Sequence, residues 1–279
     1  MTTLRLREQD LEGKVAVITG ATRGIGRAIA MNLASRGASI LGTCSHASSL
    51  DLIANMRDEI DALYKEANQE RTCRTTGLAA NITSPTCAED IVKKILDLRY
   101  GVDIFVNNAA DSLPGGIGDL TVNEIQKSMI SNIQTPVLIV DEFVKRKMFR
   151  PESRIIYISS IRSRQPWSEQ LMYAAGKSAG ESLCRTWSMA FGGNEEKFSF
   201  MAGTTANSVS VGLTQTDSVM QCPPDALEKF KQEFIPLQSI PRFGQPDDVA
   251  DVVGMLCSRD TRWITGCVLS ASGGGIKIG

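Results

Sequence analysis

Lys14–Gly37 reads KVAVITGATRGIGRAIAMNLASRG. A run of β-branched and small apolar residues leads into a glycine-rich turn, TGATRGIG (Thr19–Gly26), and then into apolar residues at helical spacing. A strand, a tight turn and a helix follow one another with no spacer. Glycines let the turn be tight and let a phosphate approach the backbone, and a helix start offers unpaired N–H groups and the positive end of its dipole. A glycine-rich turn between a strand and a helix is much stronger evidence of nucleotide binding than the glycines alone, although a βα turn with no ligand has the same outline.

Outward from this unit the alternation continues. Apolar, β-branched runs are predicted as strands at 14–19, 38–43, 75–80, 102–107, 153–159, 204–212 and 267–272. Helices are predicted at Gly24–Arg36, Ser48–Gln69, 85–99 (Ser84 as N-cap, Pro85 as first helical residue), 121–147, 172–191 and 246–258. Strand and helix in turn imply an α/β fold: a single doubly wound Rossmann-type domain over 11–279, with a seven-stranded, mostly parallel sheet and helices on both faces. Residues 1–10 read as a polar N-terminal extension. The stretch 213–245 carries Pro223, Pro224, Pro236 and Pro241, lacks clear periodicity in its first half, and is expected to be the substrate loop.

Composition narrows the function. The 279 residues carry 30 basic and 31 acidic side chains with no block of one sign, which argues against nucleic acid and against a polybasic membrane anchor. No stretch approaches the ~18 apolar residues that span a bilayer. The start, MTTLRLREQD, has no signal-peptide core. Seven scattered cysteines form no C-x-x-C pair and fit a reducing compartment. The expectation is a soluble, cytoplasmic protein. Metal ligands do not cluster, so no metal is expected. The single histidine, His46, sits near the end of the second strand and argues against Ser–His hydrolysis.

Tyr173 and Lys177 stand four residues apart in LMYAAGKSAG, which puts both on one helix face, about 6 Å apart along the axis. A nearby ammonium stabilises a phenolate, so the pair is expected to lower the tyrosine pKa and fit it for proton transfer at a carbonyl or alcohol oxygen. The spacing alone is common on exposed helices. Ser160, at the end of a strand, has a hydroxyl suited to hydrogen-bonding a substrate oxygen. Strand alternation sends Ser159 the other way.

TGATRGIG, NNAA (Asn107–Ala110), Ser160 with Tyr173 and Lys177, and RFGQPDDVA (Arg242–Ala250) occur in one order. Together they resemble the short-chain dehydrogenase/reductase family, in particular bacterial-type 3-oxoacyl carrier-protein reductases, over about Leu11–Gly275. The resemblance implies a catalytic set of Asn132, Ser160, Tyr173 and Lys177, with Asn132 bracing Lys177 through water. It implies that NADP(H) is held by Gly20, Thr22, Arg23, Gly24, Ile25 and Gly26, by Ser45, Asn81, Ile82 and Asn108, by Tyr173 and Lys177 themselves, and by Thr214 or Thr216. The end of the second strand, GTCSH (Gly42–His46), has no carboxylate to grip a ribose 2′-hydroxyl. Arg23, inside the glycine-rich turn, and Ser45 favour the 2′-phosphate of NADPH. Val211 stands where the family usually has proline and Ala110 where it has glycine.

The implied activity is reduction of a ketone to a secondary alcohol, or its reverse, by hydride transfer. The alternatives are a non-redox reaction on the same scaffold (dehydration, epimerisation or cyclisation) and a non-catalytic NADP-binding sensor. The apolar residues of the loop (Met220, Leu227, Phe230, Phe234, Ile235, Leu237) point to a hydrophobic substrate, with Pro166 and Trp167 opposite, although packing onto the core explains most of them equally well. NEEKFSFMAGTTAN, before the sixth strand, exceeds the family norm and reads as an edge loop near the site. A homotetramer or homodimer is expected, built on the 121–147 and 172–191 helices and the terminal GGGIKIG.

Overall fold

The computed structural model describes residues 5–112, 114–193 and 195–278. Parts of the expected N-terminal extension, of the segment that begins at Asn194 and of the terminal GGGIKIG lie outside them. The described part of the extension is docked: Arg7 N donates to the Ser35 carbonyl and its guanidinium pairs with Asp251 at 2.7 Å.

Seven strands form one sheet: β1 (Val15–Ile18), β2 (Ser39–Cys44), β3 (Thr75–Ala79), β4 (Val102–Asn107), β5 (Phe149–Ser160), β6 (Thr205–Val211) and β7 (Val268–Ala271). Their order is β3-β2-β1-β4-β5-β6-β7. Every pair is parallel, so the sheet is fully rather than mostly parallel. The strand order reverses between β1 and β4, and the crevice at their C-terminal ends is where such folds bind ligands.

The helices are α1 (Gly24–Ala34), α2 (Leu50–Glu66), α3 (Cys87–Asp97), α4 (Val122–Met129), α5 (Thr135–Lys145), α6 (Leu171–Phe191), α7 (Asp217–Met220), α8 (Pro224–Lys229) and α9 (Pro246–Cys257). Strand alternation assigns each side chain a face. Ala16, Ile18, Ile156 and Ile158 pack with Ile29 and Leu33 of α1, Met56 and Ile60 of α2, and Val253 and Leu256 of α9. Val17, Phe105, Ile155 and Tyr157 pack against Ile91 and Ile95 of α3, Phe143 of α5 and Trp187 of α6.

Sequence-based expectations about the helices and the 213–245 stretch change. The third helix starts at Cys87, with Thr86 rather than Ser84 as N-cap, because turns closed by Ser84 N to the Asn81 carbonyl and Cys87 N to the Ser84 carbonyl use up Ser84 and Pro85. The 121–147 helix is broken by a π-turn at Ile130–Gln134. Its break lies beside Pro136, which has no N–H to return to the carbonyl of Asn132 four residues back. The 213–245 stretch is a series of short helical turns, with Pro224 near the start of α8 and Pro236 in a 3₁₀ turn, Ile235–Leu237.

The long segment before β6 lies away from the site. Its 3₁₀ turn, Glu196–Met201, buries Phe198 and Met201 and sets Phe198 edge-to-face with Phe191, centroids 5.0 Å apart. Its Ala202 carbonyl accepts from Glu152 N near the start of β5. In a parallel sheet that is the end opposite the crevice, so the expected edge loop near the site is a packed cap on the far end.

Candidate active site

The glycine-rich turn leaves β1 and is tied to β4. Thr19 Oγ1 accepts from Asn108 N and Ala109 N, both at 3.0 Å. Asn108 Nδ2 donates to the carbonyls of Thr19 and Gly20 at 3.0 and 3.1 Å. A Cβ at Gly26 would stand 2.1 Å from the Gly20 carbonyl oxygen and 2.5 Å from Asn108 Nδ2, so only glycine closes this turn. Arg23 is the N-cap residue of α1 and its side chain makes no capping bond. The first N–H groups of α1, on Gly24, Ile25 and Gly26, are the donors that a helix start leaves without an intrahelical partner, and so can take an anion. Thr22 borders the same turn and Thr216 lies against Gly24.

Across the crevice, β5 ends on Ser160 and α6 presents Tyr173 and Lys177. Ser160 is buried and its Oγ accepts from Arg162 N at 3.2 Å. Ser159 points away, donating to Glu181 at 2.7 Å, as strand alternation requires. Lys177 is buried, donates to the Ile158 carbonyl at 2.6 Å, and lies 5.5 Å from the Tyr173 ring centroid. Burial pushes its ammonium down to about 7. Burial raises the Tyr173 phenol above its ordinary value, while hydrogen bonding with Ser160 and the charge of Arg162 pull against that rise. Lys177 is not among the groups that act on the phenol in this geometry. Lys177 is itself partly discharged near neutrality, and the cation acting on Tyr173 is Arg162.

Asn132 sits in the π-turn with its side chain fully engaged. Oδ1 accepts from Asp111 N at 2.9 Å, and Nδ2 donates to the Asp111 carbonyl at 2.9 Å and to Ser128 Oγ at 3.1 Å. Its carbonyl accepts from the Tyr157 hydroxyl at 3.2 Å. Tyr157, which sequence reasoning missed, lies under Lys177 at 5.1 Å and under Gly180 of α6. The Asn132 side chain thus pins the segment after β4, and its backbone faces the Tyr157–Lys177 layer.

The remaining predicted residues divide. Ser45 and Arg23 are exposed at the rim of the crevice. Asn81 Oδ1 closes its own turn, accepting from Thr83 N and Thr83 Oγ1 at 3.0 Å each, which leaves its amide N–H groups for a ligand. Ile82 packs against the core, with its carbonyl taking Thr135 Oγ1 at 2.7 Å. Thr214 is buried and donates to the Gly212 carbonyl at 3.1 Å. Thr216 caps α7, accepting from Val219 N at 3.4 Å.

On the substrate side Trp167 meets Phe230 and Phe234, each at 5.8 Å between centroids, closing the 213–245 stretch onto the region after β5. Phe230 is buried, whereas Met220 and Leu237 are exposed and take no part in this cluster. Arg162, also missed from sequence, lies 4.9 Å over Trp167 and 5.1 Å from Phe234. The cleft bounded by Ile161, Gln165 and Phe234 holds only about 20 Å³. An adjoining cavity of about 380 Å³, which shares Gly212, Leu213, Gln238 and Ser272 with that cleft, lies between the residues after β6 and β7, and none of the four predicted catalytic residues lines it. Among the described residues no metal-ligand cluster occurs, and no helix is long and apolar enough to cross a membrane.

Residues 20–275 match the family model described as Enoyl-(Acyl carrier protein) reductase. The chain is 30% identical over 271 residues to the short-chain dehydrogenase/reductase FrzI of Cladobotryum sp, covering 95% of this chain and 96% of that one. It is 30% identical over 267 residues to the 3-oxoacyl-[acyl-carrier-protein] reductase FabG of Vibrio cholerae, covering 95% and 98%. The crystal structure of angucycline C-6 ketoreductase LanV with bound NADP superposes with a TM-score of 0.82 at 30% identity, over 97% of this chain and 98% of that one. The chain belongs to the short-chain dehydrogenase/reductase family.

Proposed function

We propose that this protein is an NADPH-dependent reductase that turns a ketone into a secondary alcohol. The observation that carries the reading is the meeting of Ser160, Tyr173 and Lys177 beside the turn at Gly20–Gly26, on a scaffold shared with NADP-bound ketoreductases.

The cradle fits a dinucleotide. Its uncapped α1 start receives a pyrophosphate, and the space a Cβ would fill at Gly26 is already taken by the backbone of the turn. Arg23 and Ser45, exposed at the rim with no carboxylate at the end of β2, fit a 2′-phosphate. Held by these residues, the reduced cofactor would supply a hydride to a carbonyl carbon. Ser160 and Tyr173 hold the carbonyl oxygen, and Tyr173 gives it a proton as negative charge develops. Lys177 holds the ribose hydroxyls and replaces that proton, with the layer of Tyr157 and the Asn132 carbonyl beneath it. Asn132 is a positioning residue, since its side chain is spent on Asp111.

The 213–245 segment acts as a lid. The small space under Phe234 means that a substrate lifts it, and its aromatic lining favours hydrophobic ketones. The protein works in the cytoplasm as a homodimer or homotetramer, consistent with exposed Val122, Ile125 and Met129 along α4 and Met189 on α6. Light scattering on the purified protein reads the oligomer.

The function is tested with a panel of aromatic and aliphatic ketones, following NADPH absorbance and product alcohol together. One alcohol formed per NADPH consumed supports the reading. Product formed without NADPH consumption assigns the non-redox alternative, and cofactor binding without turnover assigns a sensor.

A further inference from the structure

Arg162 is a buried cation without a counter-ion. Its exposure is 8%, and among the described residues no carboxylate pairs with it. The neighbouring Arg164 takes the nearby acid instead: Glu181, already bonded to Ser159 and Ser163 at 2.7 Å each, is its partner. The guanidinium of Arg162 makes one long hydrogen bond, 3.4 Å to the Gln165 carbonyl. Its Cζ stands over the rings of Trp167 and Phe234, 4.9 and 5.1 Å from their centroids, and neither ring offers an anionic oxygen. A guanidinium donates in its own plane through five N–H groups, so most of its donor edge is left for something else. Its charge also reaches the Tyr173 phenol. Placing an unpaired guanidinium in a closed apolar site is costly unless a ligand completes it.

We propose that Arg162 is a specificity-determining residue that binds an anionic oxygen of the substrate two or three bonds from the reacting carbonyl carbon, so that the preferred ketones are α- or β-keto acids. The inference rests on Tyr173 marking the reaction centre. Trp167 and Phe234 pack against the guanidinium, and its low exposure strengthens a charge-assisted contact. The lid that covers the substrate therefore also orients the cation that selects it.

The test uses benzoylformate and its uncharged methyl ester, which share the ketone and the ring. The wild-type enzyme is expected to favour the acid in kcat/KM. In R162Q the acid-to-ester ratio falls by a factor of roughly ten to a hundred, and R162K keeps part of it. Equal loss on both substrates in R162Q, or a wild-type preference for the ester, overturns the inference and leaves the reductase reading standing. Calorimetric titration of benzoylformate into the NADP⁺ complex separates the two ideas. Binding by wild type that R162Q loses, with no turnover of any ketone in the panel, keeps Arg162 as the anion-binding group and removes the reductase reading. No binding by wild type, or equal binding by wild type and R162Q, overturns the inference.

Discussion

The Lys177 ammonium donates to the Ile158 carbonyl at 2.6 Å. Among the described residues this is its only hydrogen bond, and it has no carboxylate partner, although only 2% of the residue is exposed. A cation so placed is expensive to keep charged, which is why burial pushes it down to about 7 from 10.5.

That shift makes the stability of the cofactor-free protein depend on pH. Between about pH 7 and 10.5 the unfolded chain holds a proton on Lys177 that the folded protein has released, so this group makes stability rise with pH, by at most about 1.4 kcal/mol per pH unit. Above pH 9 buried thiols act in the opposite sense. Cys87, Cys184 and Cys257 are pushed up to about 11, 12 and 12, so the folded state keeps protons that the unfolded state loses. K177M shares the thiols and lacks the lysine. In urea unfolding, the wild type is expected to gain stability relative to K177M from pH 7 to pH 9. Parallel pH curves would reject the assignment.

Y173F removes the proposed proton donor and little else. Turnover of a good ketone is expected to fall by at least about a thousandfold, within the range of positioned acid catalysis. NADPH affinity, read by fluorescence titration, is expected to stay within a fewfold of wild type. Retained turnover would show that another group protonates the oxygen.

Gly180 is held to glycine by Tyr157. A Cβ there would stand 2.1 Å from the ring of a fully buried tyrosine, which has no room to retreat. G180A is expected to push α6 off β5 and cost about 1–3 kcal/mol, the usual range for overpacking. Because α6 carries Tyr173 and Lys177, kcat should fall with stability. A thermal melt and a rate measured well below the melting temperature check both, and a variant unchanged in both would contradict the packing described.

Cofactor choice is assigned to Arg23 and Ser45. R23A removes the exposed cation and is expected to raise KM for NADPH by about tenfold while leaving NADH little changed, because a 2′-phosphate is recognised mainly through charge. S45D adds a carboxylate at the end of β2 and is expected to shift preference towards NADH. Steady-state kinetics with both cofactors decide, and an unaltered NADPH preference in both R23A and S45D would move the 2′-phosphate site elsewhere.

Much of this protein was legible in the sequence because its signals are local. The run Lys14–Gly26 reports strand, turn and helix through residues in direct succession. The seven strands and the main helices follow from short-range periodicity, and Ser160, Tyr173 and Lys177 can be picked out by order and spacing. The full parallelism of the sheet, the π-turn and the placing of the segment before β6 at the far end depended on which elements pack together. So did the charges. Nothing in IRSR (Ile161–Arg164) tells which arginine meets Glu181; the fold pairs Arg164 and leaves Arg162 between Trp167 and Phe234, residues 67 positions apart in sequence. Likewise, four-residue spacing placed Lys177 beside Tyr173 but gave no depth of burial, and burial turns that lysine from the expected fixed cation into a group titrating near neutrality. Sequence determined the residue types and their local order; tertiary structure decided their partners and their solvent, on which pairing and ionisation depend.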